Sequence, residues 1–563
     1  MVEINIGAFH LPQDGEDYAP ACRRALEEAH KYGSAELYLE QGTYHVYDDT
    51  VEEFFSRICN NDSVMRKALF HICGHRKLTI NGNGSLLITH GRLTPFVIEK
   101  CEDITIKNIA VDVQRPFYTQ GKIVACREDE LDLEIDQKQF PTRVQGTNFL
   151  FTSDRWECDG TFGTILVQEF DPKTMAPARD ARTSLAAIGE GVQNTENLPV
   201  PLWRLQAYQL SDHLFRLKGN RTYDPVVGNT LVMTHEIRTV GGVLIFDSNN
   251  IKMENVSIYQ SAAMPFLAQF SENITLDGCK VIPAPGSGRM ISTNSDAAHF
   301  VHCTGTVRVE NCLFESMMDD VVNVHGMYTV VRSVHDNLVR LDLIHYQQKG
   351  INMFRPGDTV IAHELGNFTE TARETVLDSW LENDDTLVIR VASAAGFSAG
   401  NVCENEDRMP EVILRGNRGG KNRPRGFVVS SAKKMLIENN VLYNYQNCID
   451  IPGDAKYWFE TGGVRDVVIR NNIFIHHNAF QAVSAIKIKP DFDCPVSDYH
   501  RNILIENNSF FGNNPRLLDA ACTDGLIFRG NTYTMPLVDE TGMEVYRIRI
   551  KNCGKLQIQE ITD

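Results

Sequence analysis

Val468-Ile469-Arg470-Asn471-Asn472, Leu504-Ile505-Glu506-Asn507-Asn508 and Ile527-Phe528-Arg529-Gly530-Asn531 are copies of one phrase: a short alternating strand closed by asparagine or glycine. Earlier copies are Ile104-Thr105-Ile106-Lys107-Asn108, Ile251-Lys252-Met253-Glu254-Asn255, Ile274-Thr275-Leu276-Asp277-Gly278, Val307-Arg308-Val309-Glu310-Asn311 and Leu436-Ile437-Glu438-Asn439-Asn440. Met253 to Leu276 and Asn508 to Asn531 are both 23 residues, while Asn471 to Asn507 is 36, as when a loop bulges from one coil. A strand-rich period in the low twenties is the mark of a solenoid. Asparagine suits its turns because it tolerates left-handed backbone and its amide can bond to the next rung. The expected class is therefore all-β, a right-handed parallel β-helix. Leucine-rich spacing is missing, and a sandwich does not account for the phrase.

Outward from that repeat, residues 1–116 read as an N-terminal cap and the first coils. Cys22, Ala25, Leu26 and Ala29 share one helical face, Gly33 stands where the helix should stop, and Leu37-Tyr38-Leu39 and Tyr44-His45-Val46 follow as strands. A helix over the open end protects the first sheet edges. The order resembles the entry of pectin-degrading β-helices. Two stretches break the rhythm, 117–240 and 328–425, and read as inserted antiparallel β-barrel modules. They share a phrase: Gly228-Asn229-Thr230-Leu231-Val232 before His235-Glu236, and Gly357-Asp358-Thr359-Val360-Ile361 before His363-Glu364. The His-Glu pairs lack the helical H-E-x-x-H spacing of a zinc site, so they read as structural strand residues. Glu364 is retained as a substrate-binding candidate if the second module leans over the groove. Coils bearing the candidate site fill 241–327, and further coils fill 426–563.

A formal net charge of -18 argues against nucleic acid as a partner. No apolar run reaches the roughly 18 residues of a membrane span. The fourteen cysteines are scattered singly, without C-x-x-C or metal-ligand spacing, and read as buried free thiols. No signal peptide precedes Met1-Val2-Glu3-Ile4. A secreted, periplasmic or cell-surface native precursor is the expectation, with the cytoplasm left open.

The densest polar constellation is Ser292-Thr293-Asn294-Ser295-Asp296 with His299, followed by Met317-Met318-Asp319-Asp320-Val321-Val322-Asn323-Val324-His325-Gly326. Asp296 lies 23 residues before Asp319 and 24 before Asp320, one coil, which stacks the three about 4.8 Å apart. Like charges so close force at least one carboxyl to keep a proton. A proton-bearing acid beside ionised neighbours is the division of labour that glycoside hydrolysis needs. With acid and base roughly 6.5–9.5 Å apart, a water fits between and the configuration inverts; a diagonal step across the coil is the expected source of that distance. The competing structural readings are a calcium site, which lacks an EF-like loop here, and a solvated aspartate ladder. Asn294, His299, Asn323 and His325 are the remaining substrate-binding candidates. Arg415, Arg418, Lys421, Arg423 and Arg425 fall in a 400–430 stretch expected to be a loop that walls the groove. They could reach sugar hydroxyls, but a solvated basic loop is the favoured reading.

Asn-x-Asp, then Asp-Asp one coil later, then His-Gly, resembles the catalytic pattern of inverting polygalacturonases. The resemblance implies Asp319 as acid, with Asp320 and Asp296 acting on water. The Arg-Ile-Lys that grips a uronate carboxylate in that family has only a loose echo in Ala485-Ile486-Lys487-Ile488-Lys489, which points to a neutral sugar. Over essentially its whole length the chain resembles glycoside hydrolase family 110, in the capped helix, the two inserts and the phrase Met318 to Gly326. That family implies an exo-acting, inverting α-1,3-galactosidase without metal or cofactor, taking terminal galactose from glycans such as blood-group B-type. The expected partner is thus a galactose-terminated glycan; the oligomeric state is open, a homodimer included. A polygalacturonase-like hydrolase, a polysaccharide lyase and a non-catalytic glycan-binding β-helix are the alternatives.

Overall fold

The computed structural model describes residues 1–160, 167–178, 205–221, 223–236, 238–477, 483–492, 498–534 and 546–559. Its spine is a parallel β-helix. One continuous set of parallel pairings links 21 strands around two faces of the coil, and a 12-stranded sheet forms another face. The Asn-Asn phrase explains how the coils close. Its first residue takes the left-handed turn: Asn439, Asn471 and Asn507 have φ of 58°, 54° and 56°, and Gly530 fills the same place at 60°. Its second residue turns inward. The Asn417 and Asn440 side chains donate to Asn440 Oδ1 and Asn472 Oδ1 at 3.0 and 2.9 Å. Asn472 and Asn508 continue the ladder to Asn508 Oδ1 and Asn531 Oδ1, each at 2.9 Å. Each amide also takes the backbone N–H of the residue a coil before, as Asn508 Oδ1 does from Asn472, so these buried polar groups are fully engaged.

Period-2 alternation sorts the 12-stranded sheet. Ala298, Phe300, Val322, Val324, Phe427, Ile449 and Ile486 point into the single coil core. His299, Asn323, Val428, Asp450 and Lys487 lie in register on the opposite face. The helix Ala19–Ala29 buries Ala21, Cys22, Ala25 and Leu26 against the first coil, as expected, and ends four residues before Gly33.

Between coils lie two antiparallel modules. The first holds a 7-stranded sheet and a separate 3-stranded sheet among the described residues. The second closes as a six-stranded barrel from Thr329–His335 to Val402–Asn405. The shared phrase forms equivalent turns: Gly228 and Gly357 have φ of 99° and 97°, and each leads into a strand, Thr230–Thr234 or Thr359–His363. His235, just past its strand, bonds Thr119, and His363, at the end of its own, bonds Glu404, so both are held in structural roles. The stretch expected to be a loop is not one: coil strands resume at Glu411–Arg415, Arg418–Gly420 and Phe427–Val429. Leu414 and Val412 are core residues there, which is why the segment pairs as coil. The described cysteines are all free and mostly buried. Among the described residues no helix is long and apolar enough to cross a membrane.

Candidate active site

The turns that enter the 12-stranded sheet carry the chemistry. Ala298 pairs with Val322, a 24-residue register that sets Asp296 level with Asp320 and leaves Asp319 one residue off the stack. The Asp320 backbone N–H donates to Asp296 Oδ1 at 3.2 Å, fixing that rung. One oxygen from each of Asp296, Asp319 and Asp320 lies within 4.8 Å of the others. This is closer than the acid–base spacing expected for a water-bridged pair, because the vertical step of one strand sets it.

The three carboxylates differ in access. The side chains of Asp296 and Asp320 are 4% and 2% exposed, while that of Asp319 is 23% exposed. Asp320 sits in a bidentate fork from Arg425, with Nε to Oδ1 at 3.0 Å and Nη2 to Oδ2 at 2.7 Å. Asp296 Oδ2 is 2.7 Å from His299 Nδ1. Asp319 is approached by Arg238 at 3.4 Å. Burial, then the charge of Asp319, pushes the Asp296 carboxyl up to about 8, against the opposing pull of Arg238. Burial raises Asp320 as well, with Arg425 opposing and both other aspartates adding. The two buried carboxyls, Asp296 and Asp320, are therefore where a proton is held near neutrality. The trio's oxygens are close enough to gather a cation, but Arg425 and Arg238 already supply positive charge to two of the three. The donor set fits a proton-sharing cluster better.

A cavity of about 440 Å³ opens above this cluster. Asn323, Arg423, Arg425, Asp450 and Lys487 line it from successive coils, and the 452–460 segment adds Asp454, Trp458 and Glu460 to its wall. Asp454 shapes that segment by accepting from the backbone N–H groups of Lys456, Tyr457 and Trp458. Arg238 knits the modules together. It donates to the Asn60 carbonyl at 2.7 Å and to Gln347 of the second insert at 3.0 Å, and it lies 4.9 Å from the Trp458 ring centre. Among the described residues, the inserts thus wall the cavity only through Arg238 and its support.

The substrate-binding candidates divide. Asn323 lines the cavity, and its Oδ1 has no partner among the described residues. Asn294 does not: buried at 1% exposure, it donates to the carbonyls of Phe117 and Glu236 and anchors the first insert. His299 and His325 lie behind the aspartates, 0% and 1% exposed, bonded to each other at 2.9 Å, and neither lines the cavity. Glu364 is exposed in a turn of the second barrel, capped by Asn367, and takes no part in the cavity lining. The favoured solvated reading of the basic residues holds for exposed Arg418 but not for Arg425. Arg415 pairs with Glu310 and Glu438, Lys421 with Glu315, and Arg423 donates to the Met318 carbonyl. Arg238, Asp450, Asp454, Trp458, Glu460 and Asn60 were not singled out from sequence. Only Asp450 carried a signal, a lone charge inside the apolar run Cys448-Ile449-Asp450-Ile451.

Lys487, in the Ala485–Lys489 echo, pairs with Asp491 at 3.0 Å and Asp450 at 3.5 Å, so its charge is already balanced. Among the described residues, seven carboxyl groups line the cavity against four cationic side chains, a setting that disfavours a uronate.

Comparison with known proteins adds a direct likeness. Residues 119–231 match the family model described as GLAA-B beta-barrel domain I. Alpha-1,3-galactosidase A of Shewanella woodyi is 32% identical over 94% of this chain and 85% of its own length. Alpha-1,3-galactosidase B of Bacteroides thetaiotaomicron is 29% identical over 97% and 88%. Alpha-1,3-galactosidase B of Akkermansia muciniphila is 30% identical over 94% and 66%.

Proposed function

Because the chain belongs to the α-1,3-galactosidase family, glycoside hydrolase family 110, we propose that this cavity removes a terminal α-1,3-linked galactose from a glycan, blood-group B-type or linear, with inversion. The observation that carries the reading is the unequal access of the three aspartates. A general acid must touch the leaving oxygen, and Asp319 has the only carboxyl of the trio that reaches well into the cavity. Asp320 and Asp296 act on the water. Inversion is supported by how they are held: each has both oxygens engaged, which suits holding and deprotonating a water better than reaching the anomeric carbon as a nucleophile. The 452–460 wall is the element that would stop the sugar chain in an exo mode, and the balanced Lys487 supports a neutral sugar over the substrates of a polygalacturonase or lyase.

One observation favours a second reading. Oxygens within 4.8 Å are nearer to the roughly 5 Å spacing of retaining pairs. Proton NMR of an α-1,3-linked galactoside during hydrolysis separates the two. β-Galactose as first product supports inversion, α-galactose supports retention, and no released galactose from linear or branched substrates contradicts the hydrolytic reading.

A further inference from the structure

Behind the catalytic aspartates runs a continuous buried chain of titratable groups. Asp296 Oδ2 is 2.7 Å from His299 Nδ1, His299 Nε2 is 2.9 Å from His325 Nε2, and His325 Nδ1 is 2.7 Å from the Gly326 carbonyl. Glu460 Oε1 lies 3.6 Å from His325 Nε2 and accepts from the Asn60 amide at 2.5 Å. A carbonyl only accepts, so His325 Nδ1 carries a proton whatever else happens. Two arrangements of the same protons then remain. In one, Asp296 is a neutral acid donating to His299, whose Nε2–H donates to a neutral His325. In the other, Asp296 is a carboxylate, His299 has its proton on Nδ1, and His325 is an imidazolium facing Glu460.

We propose that His299, His325 and Glu460 form a proton relay that keeps Asp296 ionised as the base. This rests on the hydrolytic reading above. The step is balanced. The Asp296 O–H bond breaks as a proton passes to His299 Nδ1, and the proton on His299 Nε2 passes to His325 Nε2. One carboxylate and one imidazolium result, with no other reactant. His299, His325 and Glu460 act through Asp296 and are positioning residues.

The surroundings suit these roles. Burial, then the neighbouring His325, holds His299 well below the usual histidine range, so it serves as a neutral bridge rather than a resting place for charge. Burial works against ionisation of Glu460, but His325, His299, Asn60 and Arg425 more than offset it, and its carboxyl is held below the usual range. A carboxylate is therefore in place to balance the imidazolium. Among the described residues, Asp319 from the next turn, Arg238 from the edge of the first insert and His302 from the same strand end also face the pair.

The test uses Glu460→Gln in the full chain, read by the pH profile of kcat/KM and by nitrogen NMR of ¹⁵N-histidine, with His325 assigned by substitution. In the wild type, His325 is expected doubly protonated near pH 7, and in Glu460→Gln it is expected neutral. The acidic limb of kcat/KM should move up by about one pH unit, giving roughly tenfold lower activity near pH 6 that recovers toward about pH 8.5. KM should change less than about twofold, and Glu460→Asp should restore most of the profile. A neutral His325 in the wild type near pH 7, or a Glu460→Gln variant with raised KM and an unmoved profile, overturns the relay. The histidine signals are read without turnover, so failure of the relay and failure of hydrolysis are seen separately.

Discussion

Arg425 and Asp320 face each other across one coil step as a two-pronged ion pair, and Arg425 Nη1 also reaches Asp450 Oδ2 at 3.4 Å. Both aspartate side chains are 2% exposed. One guanidinium thus serves two carboxylates that have almost no water to fall back on. Truncating one partner of such a pair strands the other as an unpaired buried charge.

Arg425→Met is accordingly expected to destabilise the chain by about 3 kcal/mol, measured by chemical denaturation. It should also lower kcat at least about a hundredfold, as Asp320 takes up a proton in compensation. A fold as stable as wild type contradicts the pairing described here.

Stability should fall with rising pH in a window set by Asp296. With that carboxyl raised to about 8 in the folded chain, the folded state keeps, within Asp296 and the histidines bonded behind it, a proton that an unfolded carboxyl loses near about pH 4. That contribution is complete below the unfolded value and disappears as the pH climbs through the folded one. Asp296→Asn removes it, and the variant should lose less Tm than wild type between about pH 6 and pH 9 in scanning calorimetry.

Trp458 is 40% exposed, lines the cavity and is braced by Arg238 and by His345, whose ring lies 4.7 Å away. A flat, braced indole on a cavity wall is a stacking surface for a sugar ring. Trp458→Ala should raise KM roughly tenfold with kcat within about threefold, by steady-state kinetics.

The coil turns give a paired test of the fold. Asn472→Ala removes a buried amide that donates to Asn508 and to the Ile437 carbonyl, and should cost about 2–3 kcal/mol in urea. Asn471→Gly should cost little, since Gly530 already occupies the equivalent left-handed place, while Asn471→Val should cost about 1–2 kcal/mol.

These positions show what a sequence can carry. The Asn-Asn phrase is written by local backbone need and by a side-chain ladder, both of which repeat with the coil, so the β-helix was legible at once. The aspartate trio was legible because Asp296 and Asp320 are separated by one uninterrupted coil of the register that pairs Ala298 with Val322. Asp450 and Lys487 lie on the same face but are separated by 37 residues because a long excursion intervenes, so no period connects them. Arg238, Asn60 and Glu460 arrive from three separate modules, and only tertiary packing unites them. His299 and His325 show the complementary limit. Alternation correctly puts both outside the coil core, but it does not say what covers that face; there the covering is Glu460 and its neighbours. Glu364 and Asn294 lie off the cavity for the same reason, one left in an exposed turn and the other used to anchor an insert.

The most direct test of the central claim, that Asp319 delivers the proton to the leaving sugar oxygen, is to measure Asp319→Asn by calorimetric galactose binding and by single-turnover hydrolysis of an α-1,3-linked galactoside. The expected result is galactose affinity within a few fold of wild type with hydrolysis slowed about a thousandfold or more. Hydrolysis at a rate comparable with wild type would contradict it.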